Sequence, residues 1–213
     1  MQRFPTHYLL FISFLGLALS CSSVYKKMQK TTGDASCIQK FKPALGSALY
    51  KTQVDVVGKH ISGLLLMKLM PDSSERILFS NEIGLKFFDF KFSRDSGFKV
   101  IYIIDQMNKK AVITTLRKDF ELVLMHHTST SDAYLLRKGQ SYYYAFPQES
   151  GVNYYLTDST CSRLVGMERS SNKKPVVEAV MANYRNGLPD TIGMTHKNFN
   201  FTIGLKRIEN AGR

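Results

Sequence analysis

Long apolar runs are nearly absent from this 213-residue chain. The one continuous stretch, residues 8–20, would make about 20 Å of helix at 1.5 Å per residue. That is short of the roughly 30 Å hydrocarbon core of a bilayer, so an uncleaved membrane helix is the weaker of its two readings. Catalytic fingerprints are missing too. There is no Gly-x-Ser-x-Gly, no phosphate loop, no dinucleotide glycine motif and no His-Glu-x-x-His. No acid, base and nucleophile can be brought together from such a sequence, and no enzyme is expected. Acidic residues are scarce beside basic ones, 17 against 29, which leaves a formal charge of +12. The basic residues come as scattered pairs such as Lys109-Lys110, Arg137-Lys138 and Lys173-Lys174 and never as a long run. A nucleic-acid platform needs basic residues interleaved with exposed aromatics on one face, and no nucleic-acid partner is expected. Attraction to acidic lipid headgroups and a merely solvated surface both account for the charge. His126-His127 alone invites a metal reading. Adjacent residues of a strand point to opposite faces, and no cysteine or glutamate stands at ligand spacing. A pair of loop histidines is the reading adopted, with no metal and no cofactor.

Cysteine is also scarce, with three in all. The first, Cys21, follows Leu17-Ala18-Leu19-Ser20. Arg3, the apolar run and the small residues before Cys21 are the three parts of a secretory signal. With the cysteine at the cut, the segment resembles a bacterial lipoprotein signal. The resemblance implies that residues 1–20 are removed and that Cys21 carries the lipid. A diacylglycerol thioether plus an N-acyl chain anchors stably, whereas one acyl chain binds only marginally. The implied address is the cell envelope of a Gram-negative bacterium, at the periplasmic face of the outer membrane. Ser22-Ser23 lacks the aspartate that retains many such proteins at the inner membrane. The remaining 193 residues suffice for one domain with a sizeable core. Cys37 and Cys161 are then an even number in an oxidising compartment. A disulfide and two separate thiols both stay open, because spacing does not reveal the Cα approach.

Residues 22–36 are polar and predict a tether, with the domain proper at 37–213. Beyond the tether the dominant signal is alternation. Strands are expected at 64–70, 77–80, 85–92, 133–136, 141–146, 152–157, 161–168, 176–184, 192–196 and 199–208, separated by Gly, Pro, Asn, Asp and Ser turns. In 88–92 the alternation is strict, with Phe88, Phe90 and Phe92 on one face and Asp89 and Lys91 on the other. Phe87 beside Phe88 breaks the phase and predicts a bulge or a strand end. Between 104 and 124 the apolar residues recur at three- and four-residue steps, the best helix in the chain. No repeat and no second domain boundary is visible. A long antiparallel meander tends to curl, and one helix over its open face makes a mainly β (α+β) half-barrel able to hold an acyl chain.

The order of these elements resembles the LolB/LolA-like periplasmic lipoprotein-binding family. Residues 54–65 look like its first hairpin, and Asn81-Glu82-Ile83-Gly84 before the alternating phenylalanines looks like its strand–loop–strand segment. The helix over 105–120 sits where the family places a cavity cover, and Leu188-Pro189-Asp190-Thr191-Ile192 with 201–205 resembles its closing hairpin. The likeness spans most of residues 45–209. It implies an incomplete barrel of about eleven strands, an apolar cavity, and neither catalysis nor metal. It also places Ile83 where the family has a protruding leucine that assists insertion, so Ile83 is a candidate membrane or cargo contact. The tryptophans in which LolB is rich are absent here, so the resemblance is to the family and not to that localisation factor.

The aromatics divide between two roles. Phe88, Phe90, Phe92, Tyr142, Tyr144, Phe199 and Phe201 are candidate cavity-lining residues, although alternating aromatics in a sheet are usually core and cross-strand pairs. The leading expectation is a monomeric, lipid-anchored periplasmic protein that binds an acyl chain, a lipid or a lipoprotein cargo. The alternative is an interaction or envelope-sensor module on the same fold.

Overall fold

The computed structural model describes residues 23–208; Cys21 and the expected signal lie outside them. Thirteen strands form one antiparallel sheet that does not close. They are β1 (Gln29–Thr31), β2 (Ser47–Val56), β3 (Lys59–Leu69), β4 (Glu75–Ser80), β5 (Lys86–Ser93), β6 (Gly97–Ile103), β7 (Tyr134–Lys138), β8 (Ser141–Pro147), β9 (Val152–Thr157), β10 (Leu164–Ser170), β11 (Pro175–Arg185), β12 (Leu188–His196) and β13 (Phe201–Arg207). The one α-helix described, α1 (Lys110–Val123), separates β6 from β7. The sheet order is β1-β7-β8-β9-β10-β11-β12-β13-β2-β3-β4-β5-β6, two meanders joined through β13 and β2. The mainly β half-barrel read from the alternation is the observed architecture.

Two strands exceed the expected number, each for a physical reason. β6 hides its period because a register shift opposite Asp89 and Phe90 leaves Ile101 as an extra residue between Val100 and Tyr102. β1 lies inside the segment expected to be a tether. That expectation is corrected by packing. The Tyr25 ring stacks on Tyr154 at 4.3 Å, its hydroxyl donates to Glu168 Oε2 at 2.6 Å, and the Val24 N–H donates to Lys173 O at 3.0 Å. β1 then pairs with β7 from Gln29 to Thr31. A polar composition concealed one buried aromatic, and that aromatic with the β1 pairing lays the segment on the sheet. β10 begins later than expected, because Cys161 has φ 53° in a turn where the Asp158 carboxylate accepts the Ser162 and Arg163 N–H groups.

The sheet buries residues on both faces, unequally. Alternate side chains of β2–β5 and β8–β13 point inward, with Tyr50, Met67, Ile77, Phe90, Tyr155, Met194 and Leu205 all nearly inaccessible. On the outer face a second cluster gathers Tyr25, Leu136, Tyr143, Ala145 and Tyr154. This explains the unbroken apolar run of β8, since its odd and even positions face different cores. Two pieces cover the inner face. One is α1, which buries Leu116, Asp119, Phe120, Leu122 and Val123. The other is a 3-10 segment at Ala35–Phe41, which inserts Ile38 and Phe41. Cys37 in that segment is disulfide-bonded to Cys161, with Cα atoms 6.5 Å apart.

Candidate functional site

The antiparallel pairings place the β2–β3, β4–β5, β10–β11 and β12–β13 connections at one end of the strands. The β6–α1 connection leaves from the same end. At the opposite end the 3-10 segment is fastened, with Tyr184 donating to Phe41 O at 2.9 Å and the Ala44 N–H to Gly187 O at 2.9 Å. Between the inner face and the first half of α1 lies a cavity of about 530 Å³. Its walls are β2 and β3 through Val54, Val56 and Ile61, β5 through Phe87 and Phe88, and β13 through Phe201 and Ile203. Met107, from the 3-10 turn at Asp105–Met107, and Ala111, Val112, Thr115 and Leu116 of the helix close it. Leu65, Phe88 and Phe120 have almost no exposure and mark its inner end.

The helix has a division of labour. Its first two turns line the cavity, while its last two are clamped to the sheet by a buried ionic cluster. Asp119 Oδ1 accepts from Arg169 Nη2 at 2.7 Å, and His196 Nε2 lies 2.8 Å from Asp119 Oδ2. Asp119 is fully buried, and His196 is 8 % exposed. Beside the cluster, Arg169 Nε and Asn153 Oδ1 are the buried side-chain atoms without a hydrogen-bond partner among the described residues. Arg169 and Asn153 are register partners across β10 and β9. His196 also packs against Phe199 and Phe201, with ring centroids 4.9 and 4.7 Å away. Both phenylalanines line the cavity, so the clamp and the cavity wall are in contact. Sequence reasoning missed this cluster. Its signal was an acid, Asp119, standing on the apolar stripe of an amphipathic helix.

Of the aromatics expected to line a cavity, the structure brings Phe88, Phe199 and Phe201 to it and leaves four elsewhere. Phe90 is fully buried between Phe88 and Phe98, with centroids 4.5 and 5.2 Å away. Phe92 packs on Phe98 and His126. Tyr144 is core, and Tyr142 packs against it from the edge. Alternation correctly put Phe88, Phe90 and Phe92 on the inner face, but the cavity occupies only part of that face. Aliphatic residues and Met107 supply most of the remaining wall. Asp89 opposite them is not solvated. It is 2 % exposed and receives two hydrogen bonds from Arg76, at 2.8 and 2.5 Å.

Ile83 is 90 % exposed at the tip of the β4–β5 loop, followed by Gly84 at φ 89°. The loop is built rather than slack: Asn81 Oδ1 accepts the Leu85 N–H at 2.7 Å, and the Asn81 N–H donates to Leu85 O at 2.9 Å. Val57, Leu85 and Phe199 are also exposed at this end of the strands. Val57 adopts φ 46° ahead of Gly58 at φ 77°, a turn geometry that favours Asn or Asp before Gly and strains a β-branched residue. The histidine pair is separate from all this. His126 Nε2 lies 2.6 Å from Glu75 Oε2, while His127 is solvent-facing and 3.7 Å from Glu121.

A second, shallower cleft of about 760 Å³ runs along the outer face beside β1, lined by Tyr25, Lys30, Tyr134 and Tyr154 among others. There burial raises the Glu168 carboxyl above its ordinary range, partly offset by the hydrogen bond from Tyr25. Burial likewise pushes the Tyr25 and Tyr154 hydroxyls far up, so both remain donors.

No family model matches the chain, and no curated protein matches it. Among solved structures it is similar to a DUF1329 family protein from Desulfovibrio piger ATCC 29098, at 8% identity and TM-score 0.46, covering 84% of this chain and 91% of that one. It is also similar to a domain described as an outer membrane lipoprotein-sorting protein, from Vibrio parahaemolyticus, at 9% identity and TM-score 0.45, covering 84% and 93%.

Proposed function

We propose that this is a lipid-anchored periplasmic protein of the outer membrane that holds the acyl part of a lipid or lipoprotein in its half-barrel, without covalent chemistry. The observation that carries the reading is the cavity itself: about 530 Å³, walled by aliphatic and aromatic side chains and covered by a helix. Such a volume and lining are typical of a small-molecule site. Each methylene moved into it from water is worth about 0.8 kcal/mol. Binding and release then follow from differences in apolar burial between cavity, membrane and recipient.

The anchor supports the same reading. Ser23 adjoins Val24, which is bonded to the β10–β11 turn, and Cys21 lies two residues before it. Two residues span at most about 7 Å. A lipid on Cys21 would therefore hang from the body directly, at the strand end where the cavity opens. Ile83 and the exposed Val57, Leu85 and Phe199 at that end would meet the bilayer or the cargo.

The test is to express the chain from Ser22 onward, without its anchor, and to extract the purified protein for mass spectrometry. Co-purifying phospholipid, fatty acid or lipopeptide is the expected result. An empty cavity together with failure of added acyl compounds to bind would favour the interaction-module reading. Separately, a Cys21→Ala variant should leave the membrane fraction, and its retention there would overturn the anchor.

A further inference from the structure

The cavity is uniform inside and charged at one point. Its polar lining residues are Thr52, Thr115, Gln106 and Lys59. The Thr52 hydroxyl is spent on Tyr50 O at 3.2 Å and is 1 % exposed. Lys59 is the single charged residue of the lining, and no carboxylate joins it there. It stands at the mouth, directly after the β2–β3 turn and opposite Val56, with Val54 and Ile61 leading inward from it along the wall. Among the described residues its ammonium has no ion-pair partner. The acids flanking it on β2, the β4–β5 loop and the β6–α1 connection, Asp55, Glu82 and Asp105, are all exposed and outside the lining. Asp55 is turned to His60, with the pair 2.8 Å apart.

Size limits what enters. At roughly 30 Å³ per heavy-atom group, the share of one water in the liquid, the cavity holds about 18 such groups. That is the scale of one long acyl chain. Orientation follows from the lining. The tail belongs against Leu65, Phe88 and Phe120, where no charged residue lines the wall, and the head belongs at the mouth. The first turn of α1 contributes Ala111 and Val112 to the wall and carries no acid and no side-chain cap. Its positive end adds to the field of Lys59 without being a site on its own.

We infer that the ligand is a single-chain amphiphile with an anionic head, its carboxylate or phosphate paired with Lys59 at the mouth and its chain running inward beneath α1. The inference rests on the acyl-binding reading above and narrows it, setting aside diacyl lipids and triacylated lipoprotein termini as the species wholly enclosed. It also separates recognition from capacity, since the chain supplies affinity and Lys59 supplies the preference for charge.

The experiment uses the anchor-free protein and a fluorescent C18 fatty acid, its methyl ester, 1-palmitoyl lysophosphatidic acid and a diacyl phosphatidylglycerol, with stoichiometry read by native mass spectrometry. The acid or the lysophosphatidate is expected to bind one to one, about tenfold more tightly than the ester, which a single charge-assisted hydrogen bond supplies. Whichever of the two binds more tightly identifies the head as carboxylate or phosphate. Lys59→Met should bring acid and ester to similar affinity, and Lys59→Arg should retain the preference for the acid. Lys59 is exposed, so both variants keep the fold. Equal binding of acid and ester overturns the anionic head while leaving acyl binding intact. One-to-one binding of the diacyl lipid with equal affinity overturns the single chain. Failure of every probe to bind sinks the acyl-binding reading itself.

Discussion

Asp119 shows how much a single side chain can decide in this protein. It is a carboxylate with no access to solvent, placed where a helix would ordinarily carry leucine, and it is tolerated because Arg169 and His196 both reach it. A buried ion pair adds little net stability over apolar packing, but removing one partner strands the other. Asp119→Ala is therefore expected to destabilise the fold by about 3–5 kcal/mol, read from urea denaturation of the anchor-free protein. A loss within experimental error of zero would show that the cluster is not what fastens α1. Gly63 is decided in the same way, by close approach: a Cβ there would sit 2.1 Å from the Ser80 carbonyl oxygen, so β3 and β4 come together only around a glycine. Neither constraint can be read from the residue types alone, because each depends on what a distant strand places opposite.

At the scale of elements, helix and strands were legible wherever one face is buried. The helix stripe, the Phe88–Phe90–Phe92 face and the Asn186-Gly187 turn, with φ 52° and 74°, follow directly from period and turn chemistry. The N-terminal segment was not legible, since its packing rests chiefly on Tyr25 against partners more than a hundred residues away. Its Glu168 contact makes a pH prediction. Burial raises the Glu168 pKa in the folded protein, so the folded state binds a proton more readily than the unfolded chain. Stability from this group is therefore greatest below the ordinary glutamate range, falls as pH rises through the raised pKa, and is level above it. Glu168→Gln should remove that decline from a plot of urea midpoint against pH, and an unaltered plot would show that Glu168 is not its source.

The whole molecule is an open sheet held in a curl by what lies inside it. Two covers, α1 and the Ala35–Phe41 segment, fill its inner face, and the disulfide joins the second cover to the turn before β10 across 124 residues of sequence. Closing so long a loop in the unfolded chain is worth roughly 4–5 kcal/mol on a chain-entropy account. Reduction, or Cys161→Ser, should lower the urea midpoint correspondingly, with no further loss in the Cys37→Ser/Cys161→Ser double variant. A midpoint indifferent to reductant would count against the bond in solution. The sequence by itself determined the class of the protein: strand periods, one amphipathic helix, and a signal-like start ending at Cys21, because these depend on neighbours within a few residues. Only the tertiary structure decided where the cavity lies, that Phe88, Phe199 and Phe201 line it while Phe90, Phe92, Tyr142 and Tyr144 do not, and that Lys59 stands alone at its mouth. Alternation places a side chain on a face, but curvature and the covering elements determine which part of that face is left unfilled.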